Sequence, residues 1–222
     1  MTTAPTDDLL GTAMVDFAAG RRLPVWLRVA PGRRLSHDLA TYFEPVTAHE
    51  QGLLELAEGP VLDLGCGPAR HARLLQARGL TAVGLDRSLP AIGLARSLGL
   101  RRWLHVDVCS GPLPQARTAL LLDGNLGLAG TPAGAVRFLH RLATTCGPGG
   151  RLLVSGRGPR HGGLRAMVIR DEYRDRVGPW GRWLQAGLPA VLDLAAPAGW
   201  RLRYATIAGA DYWAALTLDA PW

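Results

Sequence analysis

The chain has 222 residues, 48% of them apolar, enough for one full α/β core, and no apolar run approaches the ~18 residues of a membrane span. Its formal charge of +7 comes from 25 basic residues that are all arginine, set against 18 acids; with no lysine at all, this reads as dispersed surface arginine in a GC-rich genome and not as a nucleic-acid patch. Cys66, Cys109 and Cys146 have no metal-ligand spacing and cannot form an even disulfide framework, and Asp7, Asp8 and Asp16 stand where a secretory leader would be basic, so a reducing cytoplasm is the expected compartment.

Leu9, Leu10, Ala13, Met14 and Phe17 give residues 1–20 a helical spacing, and the Arg-, Pro- and Gly-rich stretch 21–36 reads as a loop. Ser36 is placed to cap a helix over about 37–58, bent or broken at Pro45 and ended by Gly59-Pro60. Val61–Leu64 is then a short apolar strand carrying an acid. It runs into Gly65-Cys66-Gly67, with Pro68 at the first position of a helix over 68–78.

Strand and helix alternate from there. Thr81–Leu85 ends at Asp86, and Ser88 caps a helix to about Leu98. Arg101–Val106 ends at Asp107, and Thr118–Leu122 at Asp123-Gly124-Asn125. A helix over 131–146 stops at a Gly-Pro-Gly-Gly turn before the strand Arg151–Ser155. Residues 156–186 have no clear period. A helix over 189–196 precedes Trp200–Ala205 and Tyr212–Leu218, whose connection is too short for a parallel crossover and requires an antiparallel hairpin. The sum is an α/β fold: a doubly wound, mostly parallel seven-stranded sheet with helices on both faces and an antiparallel C-terminal hairpin. Residues 1–49 form an N-terminal helical cap, and 50–222 a Rossmann-like domain.

Ligands of such sheets bind beyond the carboxyl ends of the strands. There the chain puts Asp63 and the glycine turn on the first strand, Asp86 on the second, Asp107 on the third and Asp123 on the fourth. Glycines at 65 and 67 let backbone approach a ligand closely, and Asp86 follows Gly65 at about the twenty-residue spacing at which an acid takes a ribose diol.

The stretches VLDLGCGPARH, VGLDRS, HVDV, LLLDGNLG and GPGGRLLVSG resemble, in order, the motif series of class I S-adenosylmethionine-dependent methyltransferases, over about residues 50–218. LLLDGNLGLAG further resembles a subgroup of small bacterial members. The resemblance implies S-adenosylmethionine as cofactor, with Gly65, Cys66 and Gly67 against its methionine part and Asp63 supporting the amino group directly or through water. It implies Asp86 on the ribose, Arg87 flanking the adenine, Asp107 and the Val108 backbone at the adenine amino group, and Asp123 and Gly124 at the methionine end. Arg70 and His71 depart from the pattern, where a small residue is usual. Arg70 also counts against a nicotinamide-binding Rossmann domain, which wants a small residue at the sixth position of its glycine motif. A non-catalytic domain that binds the cofactor or a partner is the other alternative.

For the acceptor, Asn125 could orient the nucleophile and His161 serve as general base, while His37 and Tyr42 lie in the cap that would close over the site. Arg157 and Arg160, the least neutralised of the arginines after the fifth strand, are candidates to hold an acceptor carboxylate or phosphate. Trp26, Trp180 and Trp183 could wall an apolar pocket. The Asn-Pro-Pro-aromatic signature of amino methylation on nucleic acids is missing, since the fourth motif reads Asp123-Gly124-Asn125-Leu126, so a small molecule or peptide natural product is the expected acceptor.

Overall fold

The computed structural model describes residues 8–159 and 163–219. In chain order the elements are α1 (Leu9–Ala18), β1 (Val25–Val29), β2 (Arg33–Ser36), α2 (Ala48–Leu54), β3 (Val61–Leu64), α3 (Arg70–Ala77), β4 (Ala82–Asp86), α4 (Leu89–Ser97), β5 (Trp103–His105) and β6 (Thr118–Leu121). There follow α5 (Pro132–Cys146), β7 (Arg151–Arg157), β8 (Leu164–Tyr173), β9 (Arg176–Val177), β10 (Gly181–Ala186), α6 (Leu188–Ala195), β11 (Trp200–Ala208) and β12 (Asp211–Leu218).

The main sheet has seven strands in the order β11-β12-β7-β6-β3-β4-β5. Five run parallel, and β12 lies antiparallel between β7 and β11. Alternation along each strand sorts its side chains onto two faces. Leu62, Leu64, Leu121, Leu152 and Val154 meet α5 and α6, whereas Val61, Leu120, Leu122 and Leu153 meet α2, α3 and α4. Trp200 is buried in the first layer, where its indole N–H donates to the Leu139 carbonyl at 3.1 Å. Helix starts follow their local chemistry: the Ser88 hydroxyl accepts the Ala91 N–H and Thr131 that of Gly134.

The helical cap over 1–49 needs correction. Only α1 forms as the spacing predicts. The 21–36 stretch holds a hairpin, β1–β2, and the helix predicted for 37–58 is a 3-10 turn at Ala40–Tyr42 followed by the short α2. Thr47 and Glu50 start α2 as a reciprocal capping box. The unassigned stretch after the fifth strand supplies the partners of that hairpin: β8 pairs antiparallel with β1 and with β10, making a second sheet in the order β10-β8-β1-β2 with β9 alongside β8. Chain segments more than a hundred residues apart thus form one roof.

That roof is tied down through α1. Leu9, Ala13 and Met14 pack with Val25 and Tyr173 of the second sheet and with Ala91 and Leu94 of α4. Buried Asp16 receives the Tyr173 hydroxyl at 2.7 Å and the guanidinium groups of Arg21 and Arg174. These donors hold its carboxyl below the usual carboxylate range, the Tyr173 hydrogen bond first among them. At the other end, the ring of Trp183 of β10 packs against Gly127, where a Cβ would fall 2.3 Å from it.

Candidate active site

The turn between β3 and α3 is built from both sides. Gly65 and Gly67 have φ of +76° and +52°, a conformation open to glycine at little cost. The Gly65 and Cys66 N–H groups donate to the Leu85 carbonyl of β4, and that of Gly67 to the Asp86 carboxylate at 2.9 Å. Pro68 does not begin α3; Ala69 intervenes at φ +61° and the helix starts at Arg70.

Asp86 therefore stands at the end of β4 directly beneath the turn, with its second oxygen accepting the Ser88 N–H at 2.9 Å. An ionised carboxylate offers about four acceptor positions, so two N–H donors leave room for hydroxyls. Burial raises its pKa, against the lowering by the two N–H groups. Asp107 follows β5 and is exposed, one oxygen taking the Cys109 N–H at 2.8 Å. Val108 beside it is buried, and its carbonyl accepts Arg141. Arg87 is exposed, and its carbonyl accepts the His105 ring N–H at 2.9 Å. Gly124, at φ +82°, has open space where a Cβ would stand. Glycine backbone at two strand ends, a carboxylate under the turn and a second one at the next strand form a donor and acceptor set that fits an adenosyl group carrying an amino acid.

Several expected contacts fall elsewhere. Asp63 is buried and turned towards α3, where it accepts the Ala72 N–H at 3.1 Å; it braces the helix start and does not line the crevice. Burial raises its pKa. The Cys66 thiol is packed against Gly84, which leaves only its backbone for a ligand, and burial pushes the thiol up, so it is no nucleophile. Asn125 does not face an acceptor: its amide group donates to the Leu64 and Gly65 carbonyls, both at 2.9 Å. Arg157 is not a free anchor either, since it makes a two-point pair with Asp211 at 2.7 and 2.8 Å across the β7–β12 ladder. Arg160 and His161 lie outside the described residues. Nor do the tryptophans share one pocket: Arg34 covers Trp26, Arg170 covers Trp180, and Trp183 packs on Gly127.

Arg70, the departure from the motif, has a structural partner set that its sequence position does not reveal. Its guanidinium binds the buried Glu50 of α2 and reaches Asp123 at 3.0 Å, and His71 lies 3.2 Å from the same Glu50. Glu50, His71 and Asp123 could in outline hold a metal ion. Arg70 fills that position with a fixed positive charge instead. These partners hold the Glu50 carboxyl far below its usual range despite burial. Asp123, at φ +54° with its N–H on the Ser155 hydroxyl, turns its carboxylate to Arg70 at the start of α3.

The second sheet and the 3-10 turn that follows β2 bring Asp171 and Tyr42 to this side. The Tyr42 ring stands over Gly67, with 3.8 Å between its Cδ1 and the place of a Cβ, and its hydroxyl lies 3.0 Å from His37 Nε2. This places Tyr42, with His37 behind it, beside the glycine turn. Asp171 of β8, which sequence reading did not single out, completes the group.

No protein-family model matches the chain. A methyltransferase from Bacteroides fragilis, solved with S-adenosylhomocysteine, superimposes with a TM-score of 0.86 over 98% of this chain and 97% of that one, at 20% identity. The chain has the S-adenosylmethionine-dependent methyltransferase fold. That fold extends to the CcbJ methyltransferase of Streptomyces caelestis, with a TM-score of 0.62, 16% identity and coverage of 81% and 92%. By sequence, the chain is 29% identical over 152 residues to trans-aconitate 2-methyltransferase of Paracidovorax citrulli and 31% over 151 to that of Variovorax paradoxus. These alignments cover 64% of this chain but 57% and 58% of the relatives, so the matched part spans little more than half their length. No described helix is long and apolar enough to cross a membrane.

Proposed function

We propose that this protein is a methyltransferase that uses S-adenosylmethionine and acts on a small-molecule or peptide acceptor. The observation that carries the reading is the Gly67 N–H held 2.9 Å from the Asp86 carboxylate, with Asp107 and the open face of Gly124 at the neighbouring strand ends. Asp86 would take the ribose hydroxyls, Asp107 the adenine amino group, and the Gly65–Gly67 and Gly124 backbone the methionine part. The cofactor supplies a methyl group already activated on a sulfonium.

The chain's own residues supply position. Asn125 and the Leu85 carbonyl fix the turn, Arg70 and Ser155 fix Asp123, and the 3-10 turn after β2 sets Tyr42 over Gly67. Holding an acceptor in line there can contribute several kcal/mol, within the ~7–11 available from well-oriented reactants. The small-molecule or peptide acceptor and the small bacterial subgroup suggested by Asp123-Gly124-Asn125 belong to the same reading. Transfer of labelled methyl to a panel of hydroxylated, amino and carboxylic acceptors tests it. Labelled product is expected with at least one panel class, and binding of the cofactor without transfer to any class would leave only a binding domain.

A further inference from the structure

We propose that Asp171, His37 and Tyr42 form a proton-accepting unit on the acceptor side of the crevice, selecting an acceptor whose attacking oxygen or nitrogen carries a removable proton. This rests on the methyltransferase reading above.

The unit is assembled by the second sheet. Leu35, Leu27 and Asp171 lie opposite one another on β2, β1 and β8 and so share one face. His37 continues β2 past Leu35, its N–H on the Val25 carbonyl, and its ring comes to the same side. There His37 Nδ1 is buried without a hydrogen-bond partner among the described residues, 4.0 Å from Asp171 Oδ1. A buried imidazole nitrogen left unpaired is costly in a purely structural role. The other nitrogen, Nε2, meets the Tyr42 hydroxyl at 3.0 Å. Tyr42 in turn stands over Gly67, where burial first, and then the charges of Asp171, Asp123 and Asp86, disfavour its phenolate.

The electrostatics suit a base. Burial lowers the pKa of His37 from its ordinary 6.5, with Asp38 opposing, so the ring is neutral at pH 7. Burial and the nearby Asp8 raise that of Asp171 to about 6, with Arg87 opposing, so it is ionised there. When the acceptor's electron pair bonds the methyl carbon, the bond to sulfur breaks and its electrons stay on sulfur. The acceptor's proton passes to the Tyr42 oxygen, Tyr42's own proton passes to His37 Nε2, and the positive charge ends on an imidazolium facing Asp171. A carboxylate acceptor has no proton to give, and Asp171, Asp86 and Asp123 around Tyr42 repel it.

The experiment compares S-adenosylhomocysteine with sinefungin, which carries an amine at the place of the methyl-bearing sulfonium, by titration calorimetry. Alongside it, the His37 ring is titrated by NMR. Wild-type protein is expected to bind sinefungin more tightly, by roughly ten- to a hundredfold for a charge-assisted contact. Tyr42→Phe and Asp171→Asn are expected to lower sinefungin affinity more than S-adenosylhomocysteine affinity and so remove that advantage, and Asp171→Asn to lower the pKa of His37 further. No binding of S-adenosylhomocysteine to wild type would overturn the methyltransferase reading itself. If it binds, but the sinefungin advantage is absent or survives both substitutions, or the His37 titration ignores Asp171→Asn, the proton-accepting unit is wrong.

Discussion

The Asn125 amide nitrogen lies 2.9 Å from the Gly65 carbonyl and donates to it, binding the loop after β6 to the turn after β3. The same nitrogen reaches Leu64, so both donors of one side chain close the base of the glycine turn. A Cβ on Gly65 would fall 3.0 Å from that nitrogen and 2.8 Å from Leu128, so the turn and its clip require each other.

Asn125→Ala should therefore act on the turn and not on chemistry. Loss of two hydrogen bonds predicts about 1–3 kcal/mol of destabilisation, at ~0.5–1.5 each. Cofactor affinity should weaken with it. Chemical denaturation with and without S-adenosylhomocysteine measures both; unchanged stability with abolished turnover would return Asn125 to a catalytic role.

Glu50 is the buried anchor of Arg70 and His71. Glu50→Ala leaves two basic side chains without their carboxylate and should cost about 3–5 kcal/mol, the range for breaking a buried pair. The sign with pH follows from its lowered pKa. The stabilisation is fully present above the ordinary value of 4.5 and is lost as pH falls below it towards the folded value. Thermal melting of wild type between pH 7 and 3 should fall steeply at the acid end, and that of Glu50→Ala less so.

Asp171 behaves oppositely. Its pKa is raised to about 6, so its ionised form is penalised by folding above that pH and the penalty is relieved as pH falls through 6. Asp171→Asn should stabilise the protein at pH 7 by about 1–2 kcal/mol; the two-unit shift implies up to ~3, reduced because the side chain is 31% exposed. Melting temperatures at pH 7 and pH 5 check this: the variant's gain should shrink at the lower pH.

Arg157→Ala removes a two-point pair whose arginine side chain is 71% exposed. Surface pairs contribute about 0–1 kcal/mol. Stability and acceptor KM should both stay within a factor of a few, and a large rise in KM would restore Arg157 as an acceptor anchor.

The main sheet was legible because each of its strands carries a complete local signal. Val61–Leu64 runs into glycines, Ser88 and Thr131 cap their helices by hydroxyl, and the last hairpin has no room for a crossover. The places of Asp86 and Gly67 at neighbouring strand ends follow from the same signals and were legible with them. The second sheet was not, because β1 and β8 are half-exposed strands with no clear alternation of their own, and the pairing that joins their two hairpins spans more than a hundred residues. Asp171 was hidden for that reason. Glu50 had a readable signal, the Thr47-x-x-Glu50 capping box, but its hold on Arg70 depends on tertiary packing alone.

Titration calorimetry of the intact protein with S-adenosylhomocysteine, repeated with Asp86→Ala and with NAD, tests the central claim most directly. One saturable site is expected, weakened by Asp86→Ala by about 1.5–3 kcal/mol for a lost charge-assisted contact, with NAD binding far more weakly. Tight NAD binding with no S-adenosylhomocysteine signal would contradict the account.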